Sequence, residues 1–141
     1  MAGEQLGALL AETARAWRAQ LDERLRPLGL SQTRWLVILH LSKHPDGLSQ
    51  NELANRLGIS SASLSVQVDR MEREGWLERR PHEYDRRCKL LILSKRSQEL
   101  SKQIARTAAS LRKELLAGLS EADILSCERV LKHILLRTQT G

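Results

Sequence analysis

Residues 49–75 read SQNELANRLGISSASLSVQVDRMEREG. Ser49 and Glu52 form a capping box. The serine hydroxyl can bond the amide of Glu52, and the Glu52 carboxylate can reach back to the amide of Ser49. The helix they open is short, because Gly58 is a natural left-handed stop. Ser60 can cap a following helix that carries Leu64, Val68 and Met71 on one face and stops at Gly75. Leu53, Ala54 and Leu57 would pack against Ile59, Leu64 and Val68, leaving the other side of the second helix to project. The spacing predicts a helix-turn-helix.

After Gly75 the helical period is lost. Trp76–Arg80 reads as a strand closed by Pro81, and Lys89–Leu93 reads as a second, with a polar tip between them. The stretch 79–96 holds Arg79, Arg80, Arg86, Arg87, Lys89, Lys95 and Arg96 against only Glu83 and Asp85. Most of the formal net charge of +6 therefore sits in one segment. A basic run alone also describes a solvated surface. Placed beside a projecting helix, this hairpin is a wing, and a polyanion is the expected partner.

Outward from this unit the chain is helical. Leu10, Ala14, Trp17, Leu21, Leu25 and Leu28 form one stripe of a first helix, which Pro27 and Gly29 end. Ser31 caps a second helix whose centre, TRWLVILHL, is apolar nearly all round and should be buried. Pro45-Asp46-Gly47 is a turn. Beyond the hairpin, Leu100, Ile104, Ala108, Leu111 and Leu115 mark a long helix ending near Gly118. Ser120 opens a last helix with a stripe at Ile124, Cys127, Leu131, Ile134 and Leu135. The fold class is mainly α with a small β-hairpin wing. With no Phe and few other aromatics, the core rests on aliphatic side chains.

The chemistry of duplex DNA assigns roles to the projecting residues. Ser61, Ala62, Ser63, Val66, Gln67 and Arg70 lie off the buried stripe of the second helix of the motif, whose N-terminus would enter the major groove. Ser60 and Ser61 can donate to phosphate, where the helix dipole also favours an anion. Gln67 has the fork for an adenine edge, Ala62 and Val66 can touch a thymine methyl, and Arg70 reaches phosphate or guanine. At the wing tip, Arg87 is the residue expected to enter the narrow minor groove, with Asp85 as its orienter. Arg79, Arg86 and Lys89 would hold the backbone.

Other functions lack their residues. His40, His44, His82, His133 and the two cysteines have no metal spacing. No glycine-rich phosphate loop and no nucleophile elbow appears, so neither cofactor nor catalysis is expected. Cys88 and Cys127 make no disulfide framework. The N-terminus has no signal-like apolar segment, and no run approaches membrane-spanning length. These features lead us to expect a reduced, cytoplasmic protein that is not an enzyme.

Three stretches resemble the MarR family of winged-helix regulators, and its SlyA-like branch most closely. They are RAWRAQLDERLRPLGLSQTRWLVILHL, LSQNELANRLGISSASLSVQVDRMEREGWLERR and the wing YDRRCKLLILS, with the family's Asp-x-Arg element at Asp85 and Arg87. The resemblance implies a bacterial, cytoplasmic transcription regulator, repressor or activator, that acts as a homodimer on a pseudo-palindromic operator. Its half-sites would lie about 34 Å apart. It further implies that residues 1–30 and 95–141 form a helical dimerisation region around a DNA-binding lobe at 31–94. Relatives often carry Arg where Val66 stands, so their operators do not transfer. Members are often released from DNA by small aromatic carboxylates. The candidates for such a pocket here are Arg15 for the carboxylate, Trp17 and Trp35 for the ring, and His40. Two alternatives remain open. One is a winged-helix docking module that binds protein instead of DNA. The other is a thiol-based redox response through Cys88, whose cationic neighbours would favour a thiolate.

Overall fold

The computed structural model describes residues 1–85 and 87–139. The helices are α1 (Leu6–Leu25), α2 (Gln32–Ser42), α3 (Gln50–Leu57), α4 (Ser61–Arg73), α5 (Gln98–Leu115) and α6 (Glu121–Gln139). The strands are β1 (Leu48–Ser49), β2 (Leu77–Pro81) and β3 (Lys89–Leu93), in the order β1-β3-β2, all antiparallel. The mainly helical class with a β-hairpin wing stands. The chain divides into two compact units, Met1–Ala108 and Ala109–Gly141.

The serine caps form as local chemistry dictates. The hydroxyls of Ser31, Ser60 and Ser120 accept from the amides three residues ahead at 3.3, 3.1 and 3.1 Å. Ser49 and Glu52 make both bonds of the capping box, at 3.1 and 3.3 Å. Gly58 closes α3 in the left-handed region, its N–H bonding the Ala54 carbonyl at 2.9 Å.

In the first unit α2 runs through the core. Trp35, Val37 and Ile38 are fully enclosed, and Leu36 and Leu41 nearly so. Around it lie Leu53, Ala54 and Leu57 of α3, Leu64, Val68 and Met71 of α4, Leu77 and Leu91 of the hairpin and Ile104 of α5. Apolar area removed from water is the driving force, at about 25 cal/mol per Å².

Two expectations change. The α1 stripe is buried only at Leu21 and Leu25, while Leu10 and Trp17 are partly open and Ala14 is exposed. The hairpin also gains the short β1, in which Leu48 pairs with Leu91 and Ser49 with Leu90. The turn before β1 depends on Gly47, at φ +93°. A Cβ there would stand 2.9 Å from Ile92 Cγ1 and 3.1 Å from the Leu91 carbonyl oxygen. Only glycine lets this backbone lie so close to β3.

In the second unit α6 buries none of its residues within the single chain. Leu125, Leu135 and Leu136 are 57%, 60% and 60% exposed, and Ile124 and Ile134 are half-open. Cys127, on the same stripe, is exposed within the single chain. No helix among the described residues is long and apolar enough to cross a membrane.

Candidate nucleic-acid interface

The α3–α4 pair presents α4 as the sequence requires. Leu64, Val68 and Met71 are fully buried, while Ser61, Ala62, Ser63 and Arg70 are exposed and Gln67 is half-open. Val66 is 58% exposed, although it sits in the middle of the helix and both its neighbours on the buried stripe are fully enclosed. The packing of Leu64 and Val68 dictates this, since two residues before Val68 the helix must face outward.

The wing is built by the β2–β3 ladder, which runs from Leu77 opposite Leu93 to Pro81 opposite Lys89. Local bonds tie the described residues of its tip. The His82 amide donates to the Cys88 carbonyl at 3.0 Å, and the Cys88 amide to the Asp85 carbonyl at 3.1 Å. His82 Nδ1 accepts from the amides of Tyr84 and Asp85 at 3.1 and 3.2 Å, a role that sequence reading missed. Asp85 Oδ1 accepts from the Arg87 amide at 3.0 Å. The Asp85 side chain thus meets the Arg87 main chain, and among the described residues no bond joins it to the Arg87 guanidinium. Arg87 and Lys89 are exposed; Arg86 lies outside the described residues.

Arg79 is differently placed from Arg87 and Lys89. Its guanidinium reaches back from β2 to α4, 2.6 Å from Asp69 Oδ1 and 2.7 Å from Glu72 Oε1, and is only 20% exposed. Its charge is balanced within the protein, and it braces the wing against α4. Ser60 and Ser61 also have protein partners: Ser60 Oγ donates to Ser63 Oγ, and Ser61 Oγ to Asn51 Oδ1.

A cleft of about 380 Å³ lies between wing and motif, lined by Ser49, Asn51, Ser61, Arg79, Asp85, Arg87 and Lys89 among others. It brings the wing cations and the start of α4 to one face. Cys88 lines the same cleft, half-buried, with Sγ 3.9 Å from the Lys89 carbonyl oxygen.

The C-terminal end of α4 is anchored by contacts invisible to local patterning. Arg34 of α2 donates twice to Glu74, at 3.0 and 2.9 Å, and the Trp76 indole donates to the same carboxylate at 3.1 Å. The Arg34 bonds hold the Glu74 carboxyl below its ordinary pKa. Arg96 stacks 4.3 Å from the Trp76 ring centroid and donates to the Glu74 carbonyl.

The expected effector residues do not converge on a described cleft. Trp35 has no surface to offer a ligand, being fully buried with its indole N–H on Asp22 at 2.8 Å. Its ring belongs to the core. His40 is held neutral, its pKa lowered to about 4 by burial and by the cations Lys43, Arg56 and Arg18. It supplies no positive charge to a carboxylate at neutral pH. Arg15 is exposed and Trp17 partly so.

A model of the MarR family matches residues 28–87, the stretch from the turn after α1 to the wing tip. The solved structure of the transcriptional regulator PA3341 is 42% identical, with a TM-score of 0.89 over 96% of this chain and 99% of that one. The chain belongs to the MarR family. MarR from Oenococcus oeni PSU-1 is 26% identical, with a TM-score of 0.75 over 92% of this chain and 98% of that one. CouR from Rhodococcus jostii RHA1, solved bound to p-coumaroyl-CoA, shares the fold at 20% identity and a TM-score of 0.80, covering 93% of this chain and 92% of its own. The chain is a MarR family transcription regulator with the winged-helix fold, and its structural neighbours of this kind are regulators, not enzymes.

Proposed function

We propose that this MarR regulator binds duplex DNA sequence-specifically as a homodimer, with α4 in the major groove and the wing tip against the adjacent minor groove. The observation that carries the reading is the outward face of α4. It holds Val66 at 58% exposure in a row with Ala62, Ser63 and Gln67, on the same lobe as the cations of the wing. A β-branched apolar side chain held into water contributes nothing to the fold, whereas against a thymine methyl it reads a base. Arg87 and Lys89 supply the phosphate and minor-groove contacts.

Two copies are supported by the terminal helices. Leu6 and Leu9 of α1 are 42% and 52% exposed, and α6 exposes Leu125, Leu135 and Leu136. Apolar side chains in such number mark a surface covered by a partner. In this reading residues 1–30 and 95–141 join the copies and residues 31–94 of each read one half-site. CouR, which shares the fold, was solved bound to p-coumaroyl-CoA, and release by a small aromatic acid is part of this reading. In this chain Arg15 and Trp17 are the remaining candidates to meet it.

Selection of bound sequences from random duplexes by the purified protein tests the reading. A two-fold symmetric motif with half-sites about 34 Å apart is expected, with affinity falling steeply as salt rises. A protein that retains no duplex at low salt, or sediments as a monomer at micromolar concentration, refutes it.

A further inference from the structure

The start of α4 is a cluster of serines whose hydroxyl protons can be assigned. A hydroxyl carries one proton and two lone pairs. Ser60 Oγ accepts from the Ser63 amide at 3.1 Å and donates to Ser63 Oγ at 2.9 Å. Ser61 Oγ donates to Asn51 Oδ1 at 3.2 Å and accepts from Gln50 Nε2 at 3.4 Å. The same Gln50 nitrogen donates to the Ser61 carbonyl at 3.3 Å. A carbonyl can only accept, so the Gln50 amide group is fixed with its nitrogen toward α4. The Ser61 proton is thereby turned toward Asn51. Among the described residues, no hydrogen bond uses the Ser63 proton. All three serines are exposed.

We propose that Ser61, positioned by Gln50 and Asn51, meets DNA as a hydrogen-bond acceptor only. It therefore selects a base bearing an amino group in the major groove, adenine N6 or cytosine N4, while Ser63 is the hydroxyl that donates. The inference rests on the DNA-binding reading above, since that reading places α4 against base edges. Phosphate oxygens, guanine O6 and N7 and thymine O4 are all acceptors and require a donor. Ser61 can offer one only by breaking its bond to Asn51. The amino groups of adenine and cytosine instead complete its remaining lone pair with the internal network intact. Asn51 and Gln50 lie on α3 and are positioning residues: they set which partner Ser61 can accept.

Binding-site selection from random duplexes with the wild type, Ser61→Ala, Asn51→Ala and Asn51→Asp tests this. The wild type should restrict one position in each half-site to adenine or cytosine, by about 3- to 10-fold, the worth of one hydrogen bond. Ser61→Ala should relax that position alone. Asn51→Ala frees the Ser61 proton and should admit guanine or thymine there. Asn51→Asp can only accept, so it should keep the wild-type preference at a lower affinity, which a merely structural role for Asn51 would not predict. If the wild type yields a motif but Ser61→Ala or Asn51→Ala alters no position, the inference falls and the DNA-binding reading stands. If the wild type yields no motif, that reading falls and takes this one with it.

Discussion

Arg79→Met separates two roles that the sequence alone cannot distinguish: a ligand for the DNA backbone and a brace inside the protein. The guanidinium makes charge-assisted bonds of 2.6 and 2.7 Å to Asp69 and Glu72 and is 20% exposed, while the carboxylates are 56% and 40% exposed. An exposed ion pair contributes about 0–1 kcal/mol. Two pairs sharing one largely covered cation should stabilise the fold by about 1–2 kcal/mol. Methionine keeps much of the apolar stem, so the loss is mainly that of the bonds. For a chain of this length the melting temperature should fall by roughly 3–8 °C. Thermal melts of the wild type, Arg79→Met, the Asp69→Asn/Glu72→Gln double variant and the triple variant complete a cycle. The brace predicts that Arg79→Met costs far less once both carboxylates are neutral. Binding to DNA gives an independent reading. Arg79→Met leaves two uncompensated carboxylates on α4, so affinity should fall on every duplex, and the triple variant should recover it. A phosphate ligand would instead lower the slope of log affinity against log salt by about 1. An equal loss of stability in both backgrounds, together with that drop in slope, would refute the brace.

Gly47→Ala should destabilise the protein by about 1–3 kcal/mol, read as a lower urea midpoint, because a Cβ at φ +93° also meets Ile92 and the Leu91 carbonyl; an unchanged midpoint would show that β1 does not hold the hairpin. Arg87→Ala should weaken binding to all duplexes alike and lower the salt slope by about 1, and unchanged binding would remove Arg87 from the interface. His40 stays neutral in the fold down to about pH 4, whereas the unfolded chain takes up its proton near 6.5. Stability should therefore fall as pH is lowered from 6.5 toward 4, and His40→Asn should flatten that fall in urea titrations at pH 7, 6 and 5. That range lies largely above 4.5, the ordinary pKa of Glu74, whose lowered value keeps its own loss to still more acid pH.

Local physics was legible in the sequence where a contact spans three or four residues within a helix or at its cap. The capping serines Ser31, Ser49, Ser60 and Ser120, the Gly58 stop and the buried stripe Leu64, Val68 and Met71 are all of this kind, because a helix brings such neighbours together whatever surrounds it. The outward face of α4, Val66 included, follows from that stripe by geometry alone. At the wing tip, by contrast, the bonds of His82 Nδ1 to the Tyr84 and Asp85 amides went unread. Only the tertiary structure decided what joins distant segments. It paired Leu48 with Leu91 in a strand too short to show alternation, and it brought Arg34 to Glu74, 40 residues away. It also turned Arg79 inward to Asp69 and Glu72, engaged the Ser61 proton with Asn51, and placed the Trp35 ring in the core. Charge and residue type name a side chain's possible partners. Which one it meets depends on chain closure over tens of residues, and composition and periodicity carry no record of that.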